Sequence, residues 1–190
     1  MSRTRRQGFT LVELLVVCLI IGILAAFAIP KYLLSMEDSK ADSAAGLVRM
    51  VASANKMYAV DHNGVYTAGH LTNACNSVGT CTPGGSPGPD PVCNLVACKY
   101  LASNDFNSMP YAAYACDGAT GACPCGKSSA TGNNATACVM RVNGASPGTS
   151  NTPYTQWGYV MDVFGRVTCE PSGATGACAA GGNDPPTPTQ

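Results

Sequence analysis

Gln7–Pro30 reads QGFTLVELLVVCLIIGILAAFAIP, and the fate of this stretch decides the architecture of the rest. From Phe9 to Ile29 it carries one charged residue, Glu13. As a helix that run spans about 31 Å, which matches a hydrocarbon core of about 30 Å. Arg3, Arg5 and Arg6 precede it. Basic residues on one side hold that side in the cytoplasm, so everything after Pro30 is exported. A secretory signal peptide is the competing reading, with Ala26-Phe27-Ala28 as a small-x-small cleavage site. Against it stand the length of the run, the acid inside it, and its unbroken passage into a longer helical pattern.

Beyond Lys31 the pattern turns amphipathic. Ala44, Leu47, Val51, Ala54 and Tyr58 recur at spacings of three and four, with Val48 beside them. Asp38, Asp42, Arg49 and Lys56 fall on the opposite side. The stripe is short and rich in alanine, which favours a helix lying on a sheet over a coiled coil. Lys40 falls on the apolar stripe, so the first exported turns are expected to lie clear of the head. Pro30 lacks the N–H for residue 26's carbonyl and should kink the helix. Asp61-His62-Asn63-Gly64 should stop it, with Gly64 left-handed.

The exported part is rich in Gly, Pro and Cys and holds few charges. The chain has 21 Gly, 13 Pro, and 11 basic against 11 acidic residues. Neutral charge and the lack of a basic stripe give no footing for nucleic acid. Cys18 lies in the apolar run; Cys75, Cys81, Cys93, Cys98, Cys116, Cys123, Cys125, Cys138, Cys169 and Cys178 lie downstream. An even set behind a membrane segment reads as a disulfide framework. Zinc is the alternative, but paired C-x2-C knuckles are missing and Cys123-Pro124-Cys125 is too tight to replace them.

Residues 65–110 read as a long loop region, with Cys81–Cys93 too rich in Pro and Gly for helix or inner strand and Asn94–Leu101 a short helix or turn. Short strands are expected at Pro110–Cys116, Ala137–Asn143, Tyr159–Asp162 and Arg166–Cys169, the last two forming a hairpin around Gly165. Gly118–Cys123 recurs as Gly173–Cys178, each copy following Cys and then an acid. This repeat suggests two similar loops closed as Cys116–Cys123 and Cys169–Cys178. The final stretch has no apolar residue larger than alanine and reads as a mobile tail.

No catalytic constellation stands out. His62 and His70 lack ligand spacing and read as surface loop residues. Asp117, Asp162 and Asp184 could offer oxygens to calcium, but without a defined calcium motif. Neither a metal, a cofactor nor an enzymatic activity is expected.

Gly8-Phe9-Thr10-Leu11-Val12-Glu13, after a short basic leader and before a long apolar helix, resembles the class III signal of type IV prepilins and related pseudopilins. Ile21–Tyr32 and the helix end MYAVDHNGVY are similar to pilin helices. The resemblance covers about the first 66 residues. It implies an α+β, pilin-like fold, with a long kinked helix on a small antiparallel sheet and a loop-rich, disulfide-stapled head. The expected parts are a leader (1–8), a transmembrane or filament-core helix (9–30), its amphipathic second half (31–63), the head (64–178) and the tail (179–190). The resemblance also implies cleavage between Gly8 and Phe9 by a prepilin peptidase, with N-methylation of Phe9. Partners would be identical or related subunits in a helical filament and inner-membrane assembly machinery. The subunit would reside in the bacterial inner membrane before assembly and in an extracellular or periplasmic filament after it.

Glu13 needs a partner, because an unpaired carboxylate in the membrane is costly. Cleavage would supply one, the ammonium of a neighbour's Phe9, and so make Glu13 and Pro30 assembly residues. The leading function is a structural subunit of a type IV pilus or pilus-like filament. A type II secretion pseudopilin is the near alternative, and an anchored binding module is the alternative from a different class.

Overall fold

The computed structural model describes residues 10–83, 90–118, 135–143, 146–147 and 158–169. Helix α1 runs from Leu11 to Asp61 and passes through Pro30. The chain divides into two compact units, residues 1–36 and 37–190. In the first, the large apolar side chains of α1 stand exposed from Leu11 to Leu33 and at Met36. The second contains the rest of α1 and a sheet.

That sheet is antiparallel, in the order β1 (Gly69–Leu71), β2 (Tyr111–Ala115), β3 (Ala135–Asn143), β5 (Gly158–Asp162) and β6 (Val167–Cys169), with the short β4 (Ser146–Pro147) also pairing with β3. Alternation sorts the strand residues onto two faces. Ala113, Ala115, Val139, Tyr159 and Met161 join the apolar stripe of α1 in one core. Ala112, Tyr114, Cys138, Met140 and Val160 form a second buried cluster on the other face. Burial on both faces explains why β2 and β5 show no exposed residue.

The α+β, pilin-like reading holds. The stripe of α1 is buried as expected, and Asp42 is exposed while Asp38, Arg49 and Lys56 sit half-exposed on its flank. The helix closes through two left-handed residues, Asn63 (φ 56°) and Gly64 (φ 82°). The Gly64 N–H donates to Ala59 O at 2.7 Å, satisfying a carbonyl the helix leaves open. The hairpin β5–β6 forms where expected, with Gly165 at φ 91°. Asp162 sets that turn: its Oδ1 accepts the Phe164 and Arg166 N–H groups, both at 2.9 Å, and its Oδ2 accepts Arg166 Nε at 2.7 Å.

Three expectations need correcting. The first exported turns are exposed as expected, at Tyr32, Leu33 and Met36, but Lys40 does not belong to them: Glu37 and Ala41 are already buried, and Lys40 Nζ reaches over to Glu37 Oε1. A long side chain lets an amine on the apolar stripe find a carboxylate at its edge. Residues 65–110 are not all loop, since they contain β1 and 3-10 turns at Asn73–Ser77, Pro91–Cys93 and Phe106–Ser108 besides the helical turn α2 (Asn94–Ala97). Pro91 opens its turn because a first helical position needs no N–H. His70 is not a loop residue: it lies in β1, half-buried and stacked on Tyr114 at 4.6 Å, and burial pushes its pKa down against the opposing pull of Asp90.

Two bridges knit this region, Cys75–Cys93 and Cys81–Cys98. Cys116 and Cys138 are also disulfide-bonded. The disulfide reading therefore holds for these six cysteines. The proposed loops Cys116–Cys123 and Cys169–Cys178, with Cys125, involve side chains outside the described residues, as do Asp184 and the tail.

Two polar clasps lie in the apolar contact. The Asn55 carboxamide, fully buried on α1, has Nδ2 within 2.9–3.0 Å of the carbonyl oxygens of Thr67, Cys116 and Thr136, while its Oδ1 accepts the Thr67 N–H at 3.0 Å. At the start of the buried stripe, Arg141 of β3 grips Glu37 with Nε and Nη2, each at 3.0 Å, and donates Nη1 to Pro110 O at 2.6 Å. Burial alone would push the Glu37 pKa up; the bonds from Arg141 and Lys40 outweigh it and hold the carboxyl below its ordinary 4.5.

Asn55→Leu should lower stability by about 3 kcal/mol in urea denaturation of the detergent-solubilised chain, because it strands buried partners. The depressed Glu37 carboxyl contributes stability above its unfolded pKa of 4.5 and loses it as pH falls through the lower folded value. Glu37→Gln should therefore lower stability at pH 7 and flatten its decline in acid, measured as Tm against pH.

Candidate assembly site

The N-terminus of α1 begins in a reciprocal cap. Thr10 Oγ1 accepts the Glu13 N–H at 3.3 Å, and Glu13 Oε2 accepts the Thr10 N–H at 2.9 Å and the Thr10 hydroxyl at 2.7 Å. This is the capping box, in which residues three apart satisfy N–H groups that the first turn cannot. The carboxylate also sits at the positive end of the helix dipole. Glu13 thus finds partners within its own chain, in the Thr10 N–H and hydroxyl, where the sequence pointed only to a neighbour. The signal was legible as Thr10-x-x-Glu13 ahead of an apolar run. Among the described residues, Oε1 takes no hydrogen bond and remains available to a donor from outside.

Behind the cap the large apolar side chains from Leu11 to Leu33, and that of Met36, are exposed, Leu11 by 81% and Phe27 by 74%. Contiguous apolar surface on this scale is not stable against water; it requires lipid or another protein. By length and composition α1 can cross a membrane. Cys18 is free and exposed within it. Pro30 is inside the helix and exposed, while Gly8 and Phe9 lie outside the described residues.

The head offers no comparable chemistry among the described residues. No group of metal-ligating side chains occurs there. Asp162, considered as an oxygen donor for calcium, commits both oxygens to the β5–β6 turn and Arg166. His62 Nδ1 lies 2.7 Å from Tyr58 O and its ring stacks on Tyr58.

A capped, exposed apolar helix joined to an α+β head of antiparallel strands defines a pilin-like protein. Residues 3–29 match the family described as the prokaryotic N-terminal methylation motif. The chain is similar to type II secretion system core protein G of Pseudomonas aeruginosa, at 39% identity over 62 residues, 33% of this chain and 44% of the relative. Proteins of the same name from Aeromonas hydrophila and Pectobacterium carotovorum are 35% and 36% identical over 63 and 62 residues, again 33% of this chain, and 44% and 40% of those relatives. The chain thus spans less than half the length of the curated relatives it matches. No solved structure matches it.

Thr10→Ala should cost about 1 kcal/mol of local helix stability. Amide exchange in detergent should quicken at Leu11–Leu14 and leave the head unchanged.

Proposed function

We propose that this protein is a non-catalytic structural subunit of a pilus-like filament. The observation that carries the reading is the methylation motif leading into a helix whose apolar side chains stand exposed among the described residues. On this reading a prepilin peptidase cuts between Gly8 and Phe9 and methylates the new N-terminus. The helix is retained, first in the inner membrane and then among other subunits, to which inner-membrane machinery delivers it. The new ammonium on Phe9 is positive at neutral pH. In a staggered bundle it is the donor that Glu13 Oε1 lacks, and such a pair in low dielectric far outweighs a carboxylate left alone. All three relatives named above are secretion-system proteins, which favours a type II secretion pseudopilus over a surface pilus.

Intact mass from the native host should give a chain beginning at Phe9 and carrying one methyl group; a chain starting at Met1 or Ile29 would overturn the processing. Glu13→Ala should leave the subunit in the membrane and reduce sheared filaments about tenfold or more, the effect of losing about 1.4 kcal/mol. An anchored binding module would tolerate the same change.

A further inference from the structure

The bridges Cys75–Cys93 and Cys81–Cys98 share one segment but differ in what can reach them. Cys75 and Cys93 are each 0% exposed and belong to the main core, with Val92 and Leu95. Cys81 is exposed. Its partner Cys98 is part-buried at the end of α2 and packs against the same core. One bridge is enclosed by the fold; the other is open on the Cys81 side.

Thiol–disulfide exchange requires a thiolate to attack one of the two sulfurs, so access decides which bridge reacts and which sulfur is struck. Here an incoming thiolate reaches Cys81 Sγ from solvent, with Cys98 Sγ as the leaving group. The surroundings keep both sulfurs in place once the bond is open. Cys98 Sγ lies 3.9 Å from Asn94 Oδ1, within reach of the S–H donor that reduction creates. Asn94 is 1% exposed, and its Oδ1 also accepts the Thr82 N–H at 3.1 Å. One buried carboxamide oxygen thus ties the residue after Cys81 to the turn that carries Cys98. Cys81 also lies inside the loop that Cys75–Cys93 closes, so it remains tethered without its own bridge.

We propose that Cys81–Cys98 is a thiol–disulfide exchange site whose substrate is a dithiol, and that Cys75–Cys93 is the permanent bridge of the head. One thiolate of the dithiol attacks Cys81 Sγ; the bridge breaks, and Cys98 leaves as a thiolate that takes up a proton. The second thiol of the dithiol attacks its own sulfur in the mixed disulfide, and Cys81 leaves in turn. The protein gains two electrons and two protons, and the dithiol becomes a disulfide. In reverse, an oxidised dithiol closes this bridge on a head already shaped by Cys75–Cys93. The exchange belongs to the head alone and is independent of whether the chain enters a filament.

The test uses the full folded chain in detergent, with Cys18→Ala as background. Brief treatment with dithiothreitol, then alkylation and peptide mapping, should label Cys81 and Cys98 about tenfold or more faster than Cys75 and Cys93, which must wait for local opening. Equal rates, or Cys75 and Cys93 labelled first, would overturn the assignment. Repeating the step with reduced thioredoxin separates the sources: the same order admits a protein-borne dithiol, and no labelling confines the site to small ones. Two single variants ask which sulfur is struck. Cys98→Ser leaves Cys81 as a thiol, which should form a mixed disulfide with oxidised glutathione about tenfold faster than Cys98 does in Cys81→Ser. Equal or reversed rates would overturn attack at Cys81. The double variant, Cys81→Ser with Cys98→Ser, should keep Cys75 and Cys93 protected from alkylation under dithiothreitol. Their ready labelling there would mean that the two bridges open as one unit, and the distinction between them would fall.

Discussion

The head closes on one stripe of helix, and that stripe is built from small residues. Ala41, Ala44, Ala45, Ala52 and Ala54 are buried there with Val48, Val51 and Tyr58, and they face Ala113, Ala115 and Ala137 from the sheet. Small against small brings two backbones close, which gives dense packing but little apolar area per residue. Close approach also traps the backbone ends around Thr67, Cys116 and Thr136 away from water. Asn55 answers them from the centre of the stripe. Its carboxamide is what makes so tight a contact tolerable, because each buried backbone group must find a partner.

A core with so many alanines leaves stability to be found elsewhere. Among its described residues the segment from Asn73 to Leu101 contains no regular element longer than a turn or two, yet Val92, Leu95 and Leu101 are buried in the main core. Its two bridges span 18 and 17 residues and interleave, since Cys81 lies between Cys75 and Cys93 while Cys98 lies beyond. Loops of that size gain about 3 kcal/mol each on closure. Crossing loops hold an irregular segment in one shape where hydrogen-bonded ladders cannot.

Periodicity was legible wherever one element dominates its surroundings. The apolar run, the buried stripe, the helix stop at Asn63-Gly64 and the Gly165 hairpin each follow from local spacing or from a residue that tolerates a left-handed backbone. What stayed hidden depends on tertiary neighbours. Strand β1 is three residues long and exists because β2 pairs with it. Lys40 and Glu37 make sense once Arg141 arrives from over a hundred residues away. Asn55 looks like a blemish on an apolar face until three distant carbonyls are known to converge there. At the N-terminal end of α1 the reverse holds: Thr10 and Glu13 stand in plain view three residues apart, and that spacing alone spells the capping box.

Cys75 and Cys93 are completely enclosed in the finished head. No oxidant can reach them there, so their bond has to form while the segment is still open, before the core shuts over it. Under the exported topology, that places the chemistry in the compartment beyond the membrane. In the filament subunit proposed above, maturation would then be timed by redox surroundings. A newly inserted chain, anchored by its helix, would wait until oxidation allows the head to close, and readiness for assembly would be granted outside the cytoplasm.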